Sequence, residues 1–451
     1  MSDSSPVPAG TRLVADPSLR RVAGGRVVIG GSPLRLLRMN ERGAQELDRL
    51  LSGESVSTTA AAKLARRLLD AGMAHPEPAA APQLGVTLVV PVKDDPDGLA
   101  RVLKSTTDIP VRIAVDDGSQ PPLAHATTRH AHARGPAAAR NTGWRQANTE
   151  LVAFLDSDAE PEPGWLQEAL RHFADPAVAA VAPRIRSVPA DSALGRFEQS
   201  RSSLDMGPQP APVRPMSRVS YVPSAALVVR REALELVGGF DEELRFGEDV
   251  DLVWRLIGSG RAVRYEPSSV VRHRPRADLR TWLRQRYEYG TSAAPLSRRH
   301  PGLLSCARMS AWSAATWALL AAGRPRLACA LGVVSAALLP RKLRGVPAAE
   351  SLRLAGIGHL GAGRLLAEAV RRAWWPLLLP FAPVSRRARR VLAAALLPCL
   401  LEALRSGRGD VSWLALRVLD DLAYATGVWA GCLRERTAVP LLPQFTEGSL
   451  R

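Results

Sequence analysis

Three short apolar runs, rich in β-branched residues and separated by segments long enough for a helix, constrain the fold of this chain most strongly. They occupy residues 84–92, 111–115 and 151–155. Such runs are typical of strands buried on both faces, and their alternation with helical segments predicts a parallel sheet covered by helices. Ligands of such sheets bind at the carboxyl ends of the strands. Polar residues that directly follow these runs are therefore the first candidates for a functional site.

Acidic clusters follow two of the three runs. Asp116 and Asp117 begin D-D-G-S after the second run, and Asp156 and Asp158 enclose Ser157 after the third. We expect both clusters at the same edge of the sheet. Two carboxylates spaced two residues apart point the same way and suit a hard divalent cation with a shared diphosphate. In isolation, the D-x-D pattern also fits a turn or a helix cap.

Further motifs in a fixed order give these clusters a specific meaning. Residues 135–143 read G-P-A-A-A-R-N-T-G, residues 238–242 read G-G-F-D-E, and residues 246–252 read F-G-E-D-V-D-L. Together with V-V-P at residues 89–91, they make the chain resemble the family 2 glycosyltransferases over roughly residues 84–290. The resemblance implies an α/β domain of the GT-A nucleotide-diphospho-sugar transferase fold and a hexosyltransferase activity.

The same resemblance implies how a nucleotide sugar is bound. Pro91, Asp117 and Arg140 are expected at the nucleotide base, with Asp116 in support. Asp156 is expected to face the ribose.

A divalent metal, Mn²⁺ or Mg²⁺, is the cofactor that the resemblance implies. Asp158 would bind it, and His273 matches the position of an additional metal or diphosphate ligand. His273 also fits an exposed histidine in an arginine-rich segment, since Arg272 and Arg274 flank it.

The pair Glu248 and Asp249 supplies the catalytic acid–base group in this interpretation. Asp249 matches the second acid of the family's E-D motif and is the expected base. Adjacent carboxylates raise one another's pKa, although acids here also suit a helix N-terminus. One base without a second carboxylate nucleophile implies direct displacement with inversion, so an α-linked UDP-sugar would yield a β-linkage.

Residues 283–287, L-R-Q-R-Y, are the nearest counterpart of the Q/R-x-x-R-W motif found in processive members of the family. The segment departs from that motif at both ends, which argues against processive synthesis. Arg286 and Tyr287, together with Asp251, are retained as candidate contacts to the acceptor or the diphosphate.

The first 80 residues predict a small α+β module. Strands are expected near residues 19–22, 26–29 and 34–38, followed by helices that begin after Asn40 and Thr58 and stop at Gly72. This layout is similar to winged-helix leader-peptide recognition domains, including the small peptide-binding protein of pyrroloquinoline-quinone biosynthesis. A proline-containing linker over residues 75–82 then leads to a transferase domain over residues 81–296. Residues 1–10 lack the apolar core of a secretory signal.

The remaining region, residues 297–451, predicts Ala/Leu/Arg-rich helices. Residues 301–451 hold 20 basic and 8 acidic residues, so most of the net charge of +17 lies here. Four apolar stretches, each short of the ~20 residues that span a bilayer, occupy residues 309–323, 327–340, 373–383 and 391–404. Arginine among Leu, Ala and Trp favours a membrane surface over nucleic acid. We expect a peripheral or shallowly inserted protein on the cytoplasmic side of the membrane, with a soluble cytoplasmic bundle as the alternative.

The N-terminal module, the transferase domain and residues 287–296, Y-E-Y-G-T-S-A-A-P-L, together resemble the mycofactocin-system glycosyltransferases over nearly the whole chain. That group implies metal-dependent, inverting transfer of glucose from UDP-glucose to mycofactocin, a peptide-derived redox cofactor, or to its precursor. Two alternatives remain. The acceptor could instead be a polyprenyl phosphate or a cell-envelope glycan, or the chain could be a non-catalytic peptide-binding protein.

Overall fold

The structure is a computed structural model that describes residues 5–78, 80–406 and 410–446. Residues 1–4 of the expected N-terminal segment and Ala79 of the expected linker lie outside the described residues. Two compact units make up the chain. The first comprises Met1–Leu19, Ile29–Arg35 and Met39–Pro275, and the second comprises Arg20–Val28, Leu36–Arg38 and Arg276–Arg451, each as far as it is described.

The N-terminal elements form as the sequence predicts, with two additional strands. The elements are β1 (Arg12–Ala15), β2 (Arg20–Val22), β3 (Val27–Gly30), β4 (Arg35–Arg38), α1 (Glu41–Leu51), α2 (Thr59–Ala71) and β5 (Ala74–Glu77), of which β1 and β5 are the additional strands. The side chain of Asn40 accepts a hydrogen bond from the amide of Gly43, and that of Thr58 accepts one from Ala61, so both predicted helix caps are confirmed. Gly72 ends α2 with a φ of +66°.

The predicted linker is shorter than expected, because its first residues form a strand. β5 includes His75 and Pro76, and it pairs antiparallel with β1, where Pro76 lies opposite Leu13. Proline lacks a backbone N–H and is tolerated in edge strands. Both strands of this two-stranded sheet are edge strands, so Pro76 can be accommodated. β2, β3 and β4 form a separate three-stranded sheet.

A central sheet of nine strands carries the three predicted runs. Along the chain its elements are β6 (Val86–Val92), α3 (Pro96–Ser105), β7 (Val111–Asp116), β8 (Thr128–Arg129), α4 (Pro136–Gln146), β9 (Leu151–Leu155), β10 (Ala159–Pro161), α5 (Trp165–Arg171), β11 (Val178–Ser187), α6 (Ala193–Arg201), β12 (Ala211–Pro212), β13 (Ala226–Arg230), α7 (Arg231–Val237), α8 (Glu248–Gly258) and β14 (Ala262–His273). The strand order is β10-β14-β11-β13-β9-β6-β7-β8, and β12 pairs with β14.

The prediction of a parallel sheet is correct for only part of it. β6 lies between β7 and β9 and is parallel to both, so the carboxyl ends of all three strands meet at one edge. β13, however, runs antiparallel to β9 and to β11. An apolar run buries the same side chains in either direction, so strand direction is not encoded in its pattern. The sheet is therefore mixed.

The second unit is largely α-helical, as predicted. It contains α9 (Leu279–Thr291), α10 (Ala293–Arg299), β15 (Arg308–Ser310), α11 (Ala311–Ala321), α12 (Pro325–Lys342), α13 (Ala348–Ala369), α14 (Trp375–Leu378), α15 (Arg386–Ser406), α16 (Val411–Arg434) and β16 (Gln444–Thr446), with a π-helical turn over Val370–Trp374. α13 and α16 were not among the apolar stretches singled out in the sequence, because charged residues interrupt them. Within the described residues, no helix combines the length and apolar character required to cross a membrane.

Candidate active site

Asp116, the last residue of β7, and Asp117, the residue after it, are both buried, and backbone amides of the loops that follow donate to their oxygens. Asp116 is 0% exposed, and its carboxylate accepts hydrogen bonds from the amides of Ser119 at 2.8 Å and Leu123 at 3.2 Å. Burial opposes ionisation, but hydrogen bonds from Ser119 outweigh it and lower the pKa of Asp116. Pro91, in the adjacent strand β6, lies opposite Val115 of β7. Pro91 and Asp116, both predicted to contact the nucleotide sugar, are therefore neighbours at one sheet edge.

Asp117 fixes the loop that leads into α4. Its Oδ1 lies 2.7 Å from Nδ1 of His130 and accepts from the amide of Arg134, while its Oδ2 accepts from the amide of Gly135. An ionised carboxylate has about four acceptor sites, so three of those on Asp117 are occupied. His130 is held on its other side by the hydroxyl of Thr142, 2.9 Å from Nε2.

Arg140 connects the two halves of the candidate site. It is 3% exposed, and its guanidinium donates to Asp156 Oδ1 at 2.6 Å and to Glu248 Oε1 at 3.0 Å. Its Nε is buried and has no hydrogen-bond partner among the described residues. The guanidinium also lies 5.5 Å from the ring centroid of Phe240, within cation–π range. One buried cation thus joins the residue after β9 to the acidic pair of α8.

The segment after β9 is tied to α3 by a contact that sequence reasoning missed. The hydroxyl of Ser157 donates to Asp95 Oδ2 at 2.9 Å, and Oδ1 of Asp95 caps α3 by accepting from the amide of Gly98. A Cβ on Gly98 would lie 2.6 Å from the carbonyl oxygen of Ser157. Asp95 precedes Pro96, the start signal of a helix, so the cap itself was visible in the sequence.

Asp158 and His273 meet at the ends of two strands. His273 is the last residue of β14, lies opposite Ala159 of β10, and has its Nε2 3.2 Å from Oδ1 of Asp158. Among the described residues, no group of three or more His, Cys, Asp and Glu side chains is arranged to hold a metal. A Mg²⁺ or Mn²⁺ ion is commonly held by one or two protein ligands together with substrate phosphates. The Asp158 and His273 pair fits that requirement.

Glu248 and Asp249 begin α8, directly after Gly247. Burial and the neighbouring Asp249 raise the pKa of Glu248 to about 7, against the opposing charge of Arg140. Burial likewise raises the pKa of Asp249 above its ordinary value. Asp249 accepts from the amides of Val250 at 2.8 Å and, weakly, Ser224 at 3.4 Å. The pair therefore has the elevated proton affinity that a general base needs.

The last three predicted site residues are Asp251 on α8 and Arg286 and Tyr287 on α9. Asp251 is 1% exposed and pairs with Arg255, whose guanidinium in turn donates to the carbonyls of Val237 and Gly239. Arg286 and Tyr287 lie on α9 in the second unit.

Within that unit, Arg286 is buried, pairs with Asp420 at 3.0 Å and stacks on Trp282. Tyr287 is 37% exposed.

Asn141 explains why the A-R-N and G-G-F-D-E motifs occur together. Its Nδ2 donates to the carbonyl of Phe240 and to Glu242, and its Oδ1 accepts from the amide of Phe240. Gly239 has a φ of +75°, and a Cβ there would lie 2.5 Å from Asn141 Oδ1. Asn141 was visible within its motif, but its role as a link between motifs depends on tertiary contacts.

Comparisons with known proteins identify the family of this chain. The model of glycosyl transferase family 2 matches residues 87–237. The pre-mycofactocin glycosyltransferase of Mycobacterium tuberculosis is 43% identical over 97% of this chain and 98% of its own length. Glycosyltransferase AglE of Haloferax volcanii is 23% identical over 46% of this chain and 71% of its own length.

Among solved structures, one match is a mannosyltransferase of Pyrobaculum calidifontis in complex with GDP-Man and Mn²⁺. It is 18% identical in sequence, and the match covers 79% of this chain and 89% of the mannosyltransferase chain, with a TM-score of 0.44. The family assignment depends on the family model and on the relative that matches nearly full length. The predicted family, fold class and enzyme class are confirmed. The chain is a glycosyltransferase of family 2 with a GT-A fold, and it belongs to the mycofactocin-system group of that family.

Proposed function

We propose that this enzyme transfers a glucose residue from UDP-glucose to mycofactocin or its peptide-derived precursor, with inversion at the anomeric carbon. The acceptor is supported by the name of the relative that matches 97% of the chain. The chemistry is supported by one observation above the others. Arg140 holds Asp156, on the donor side, and Glu248, beside the candidate base, in a single buried network.

The acceptor hydroxyl is activated by Asp249 in this proposal. As the hydroxyl oxygen bonds to C1 of the sugar, its proton passes to the carboxylate of Asp249 and the bond from C1 to the diphosphate oxygen breaks. UDP leaves with the electron pair of that bond. Glu248, held by Arg140, keeps negative charge beside Asp249 and so favours proton uptake. The single displacement accounts for inversion.

The donor is bound along the edge formed by β6, β7 and β9. Three of about four acceptor sites on Asp117 are occupied, so one remains for an N–H of the uracil ring. Pro91 and Asp116 shape this pocket wall, and Asp156 faces the ribose. Arg140, already bonded to two carboxylates, contributes through them and through its buried Nε–H, which has no hydrogen-bond partner among the described residues.

A divalent cation is proposed at Asp158 and His273. When bound there, it would neutralise the charge of the departing diphosphate. The two side chains lie 3.2 Å apart without a third protein ligand, which leaves coordination positions for phosphate oxygens. Asp251 is buried in the first unit, and Arg286 and Tyr287 lie in the second unit. For Asp251 and Arg286 we propose only indirect roles.

Incubation of the full chain with labelled UDP-glucose tests this function. We expect label on the mycofactocin precursor and none on polyprenyl phosphate. Transfer only to polyprenyl phosphate or to an envelope glycan would favour the first alternative, and binding of precursor without transfer would favour a peptide-binding protein. Asp249→Asn is the control for background hydrolysis.

We also propose that the second unit attaches the enzyme peripherally to the cytoplasmic side of the membrane. The support is the basic excess of residues 301–451 and the many large apolar side chains exposed there. The competing proposal is a soluble enzyme whose helical bundle contacts no lipid.

A further inference from the structure

Helix α15 buries its small residues and exposes its leucines. The buried positions are Ala388, Ala395, Cys399 and Ala403. The opposite face carries five leucines, between 40% and 69% exposed, namely Leu396, Leu397, Leu400, Leu401 and Leu404. At 100° per residue these leucines form one continuous stripe, which we call the leucine stripe. A helix of a soluble protein normally turns such a stripe toward its core.

The segment before α15 continues this apolar surface. Residues 377–384, here called the apolar tip, contain four large apolar side chains that are at least half exposed, namely Leu377, Leu379, Phe381 and Val384. Pro380 and Pro383 lie among them, and the stretch consists of the end of α14, a 3₁₀ turn over Leu379–Phe381 and a turn over residues 382–384. Val384, at 84%, is among the most exposed large apolar side chains of the chain.

Arginines stand between the apolar tip and the leucine stripe. α15 begins with Arg386, Arg387, Arg389 and Arg390, and all four are exposed. By helical spacing, Arg386, Arg389 and Arg390 fall on the same face as the leucines. Positive charge at a helix N-terminus is unfavourable, because the macrodipole is positive there. An external anion next to this turn would relieve that repulsion.

Several acids among the described residues of this unit are paired with arginines outside α15. The pairs are Glu350 with Arg353, Asp421 with Arg371 and Arg417, and Glu435 with Arg298. Arg389 is held by the carbonyls of Ala382 and Pro383, so its guanidinium anchors the tip to the helix. The exposed charge on this face is therefore positive.

We propose that the leucine stripe and the apolar tip bind an anionic phospholipid bilayer, with the helix lying in the interface plane. The leucines and Phe381 would enter the headgroup and acyl boundary, and Arg386, Arg387 and Arg390 would contact lipid phosphates. A second copy of the chain would bring the same arginines together, which like charge opposes. This inference rests on the proposed membrane attachment and identifies the surface responsible for it.

Vesicle co-sedimentation of the full chain tests the assignment, with phosphatidylcholine vesicles with and without phosphatidylglycerol. Three double variants address its parts: L379S/F381S for the tip, L397S/L401S for the stripe and R386Q/R390Q for the charge. V411S/L433S is the matched control, because both side chains are more than 70% exposed but lie on α16. Thermal melting shows whether each variant remains folded.

We expect the tip and stripe variants to bind anionic vesicles at least about tenfold more weakly, and the control to bind like the unmodified chain. The charge variant should lose binding mainly to anionic vesicles and with it most of the salt dependence. Equal binding by control and tip variants would overturn the assignment. So would a change from oligomer to monomer, in size-exclusion chromatography of the variants, without any change in vesicle binding.

Transfer to a water-soluble acceptor is measured in parallel. Retained transfer with lost vesicle binding supports the assignment. Retained vesicle binding by the tip and stripe variants refutes the surface assignment whether or not transfer is lost. Vesicle binding by the unmodified chain without any transfer would count against the proposed function alone.

Discussion

At the scale of single residues, the adjacent carboxylates of α8 differ in their surroundings. Glu248 is bonded to Arg140, whereas the described bonds of Asp249 come from backbone amides. Asp249→Asn removes the proton acceptor but keeps the shape of the side chain and one of its two acceptor oxygens. We expect kcat to fall by several orders of magnitude while UDP-glucose affinity, measured by calorimetry, stays close to that of the unmodified enzyme. A kcat within about tenfold would move the base to another residue.

The pH dependence of transfer follows from the raised pKa of this pair. Because Glu248 titrates at about 7 rather than 4.5, kcat should rise with pH and level off above neutrality. Glu248→Gln removes this titration, so the acidic limb of the profile should move to lower pH. An unchanged limb in that variant would show that another group controls it.

Stability should respond in the opposite sense. A carboxyl group whose pKa is higher in the folded state stabilises the protein below its unfolded pKa, and this contribution is lost as pH rises through the folded value. For Glu248 the window is therefore between about 4.5 and 7. In chemical denaturation, the unmodified chain should lose more stability across this window than Glu248→Gln does. Equal losses would contradict the assignment of the raised pKa to Glu248.

The metal proposal makes a prediction at Asp158. Asp158→Ala should abolish the response to added Mn²⁺ or Mg²⁺ and weaken UDP-glucose binding, because the diphosphate is then held without the ion. Glu160→Ala is the matched control, since Glu160 lies two residues on and pairs with Arg274 on the surface. Undiminished transfer by the unmodified enzyme in excess chelator would contradict the proposal.

At the scale of elements, the turn over Gly238 and Gly239 follows α7 and begins the segment that leads to α8. Both residues have positive φ, but only a Cβ on Gly239 meets neighbours, Asn141 and Trp144. Gly238→Ala should cost about 1 kcal/mol, from backbone conformation alone. Gly239→Ala should cost roughly 1–3 kcal/mol more from overpacking. Urea denaturation of both variants checks the difference, and equal losses would show that the Asn141 contact is not tight.

The sequence predicted these elements unevenly, and the reasons are physical. Apolar runs and caps are local signals, so β6, β7, β9, α1 and α2 were located correctly. The antiparallel course of β13 and the pairing of β5 with β1 depend on tertiary contacts, and neither was foreseen.

The candidate site shows the same division. The motifs predicted which acids form the candidate site, but not that Arg140 is bonded to two of them, because its partners lie 16 and 108 residues away. Asp251 was predicted as a candidate contact to the acceptor or the diphosphate, and the structure shows it paired with Arg255.

At the scale of the whole molecule, catalysis and membrane attachment are assigned to separate units. Cell fractionation should find the full chain with membranes. High salt should release part of it, because salt weakens the attraction of arginines to anionic lipids but not the burial of leucines. Detergent should be required for complete extraction. Complete recovery in the low-salt supernatant would favour the soluble bundle.

The central claim is that Asp249 drives a single displacement on a nucleotide sugar. Its most direct test is the stereochemistry of the product, read from the anomeric proton coupling in NMR spectra of the reaction of UDP-α-glucose with the mycofactocin precursor. We expect a β-linked glucoside from the unmodified enzyme and no product from Asp249→Asn. An α-linked product, or undiminished transfer by Asp249→Asn, would contradict it.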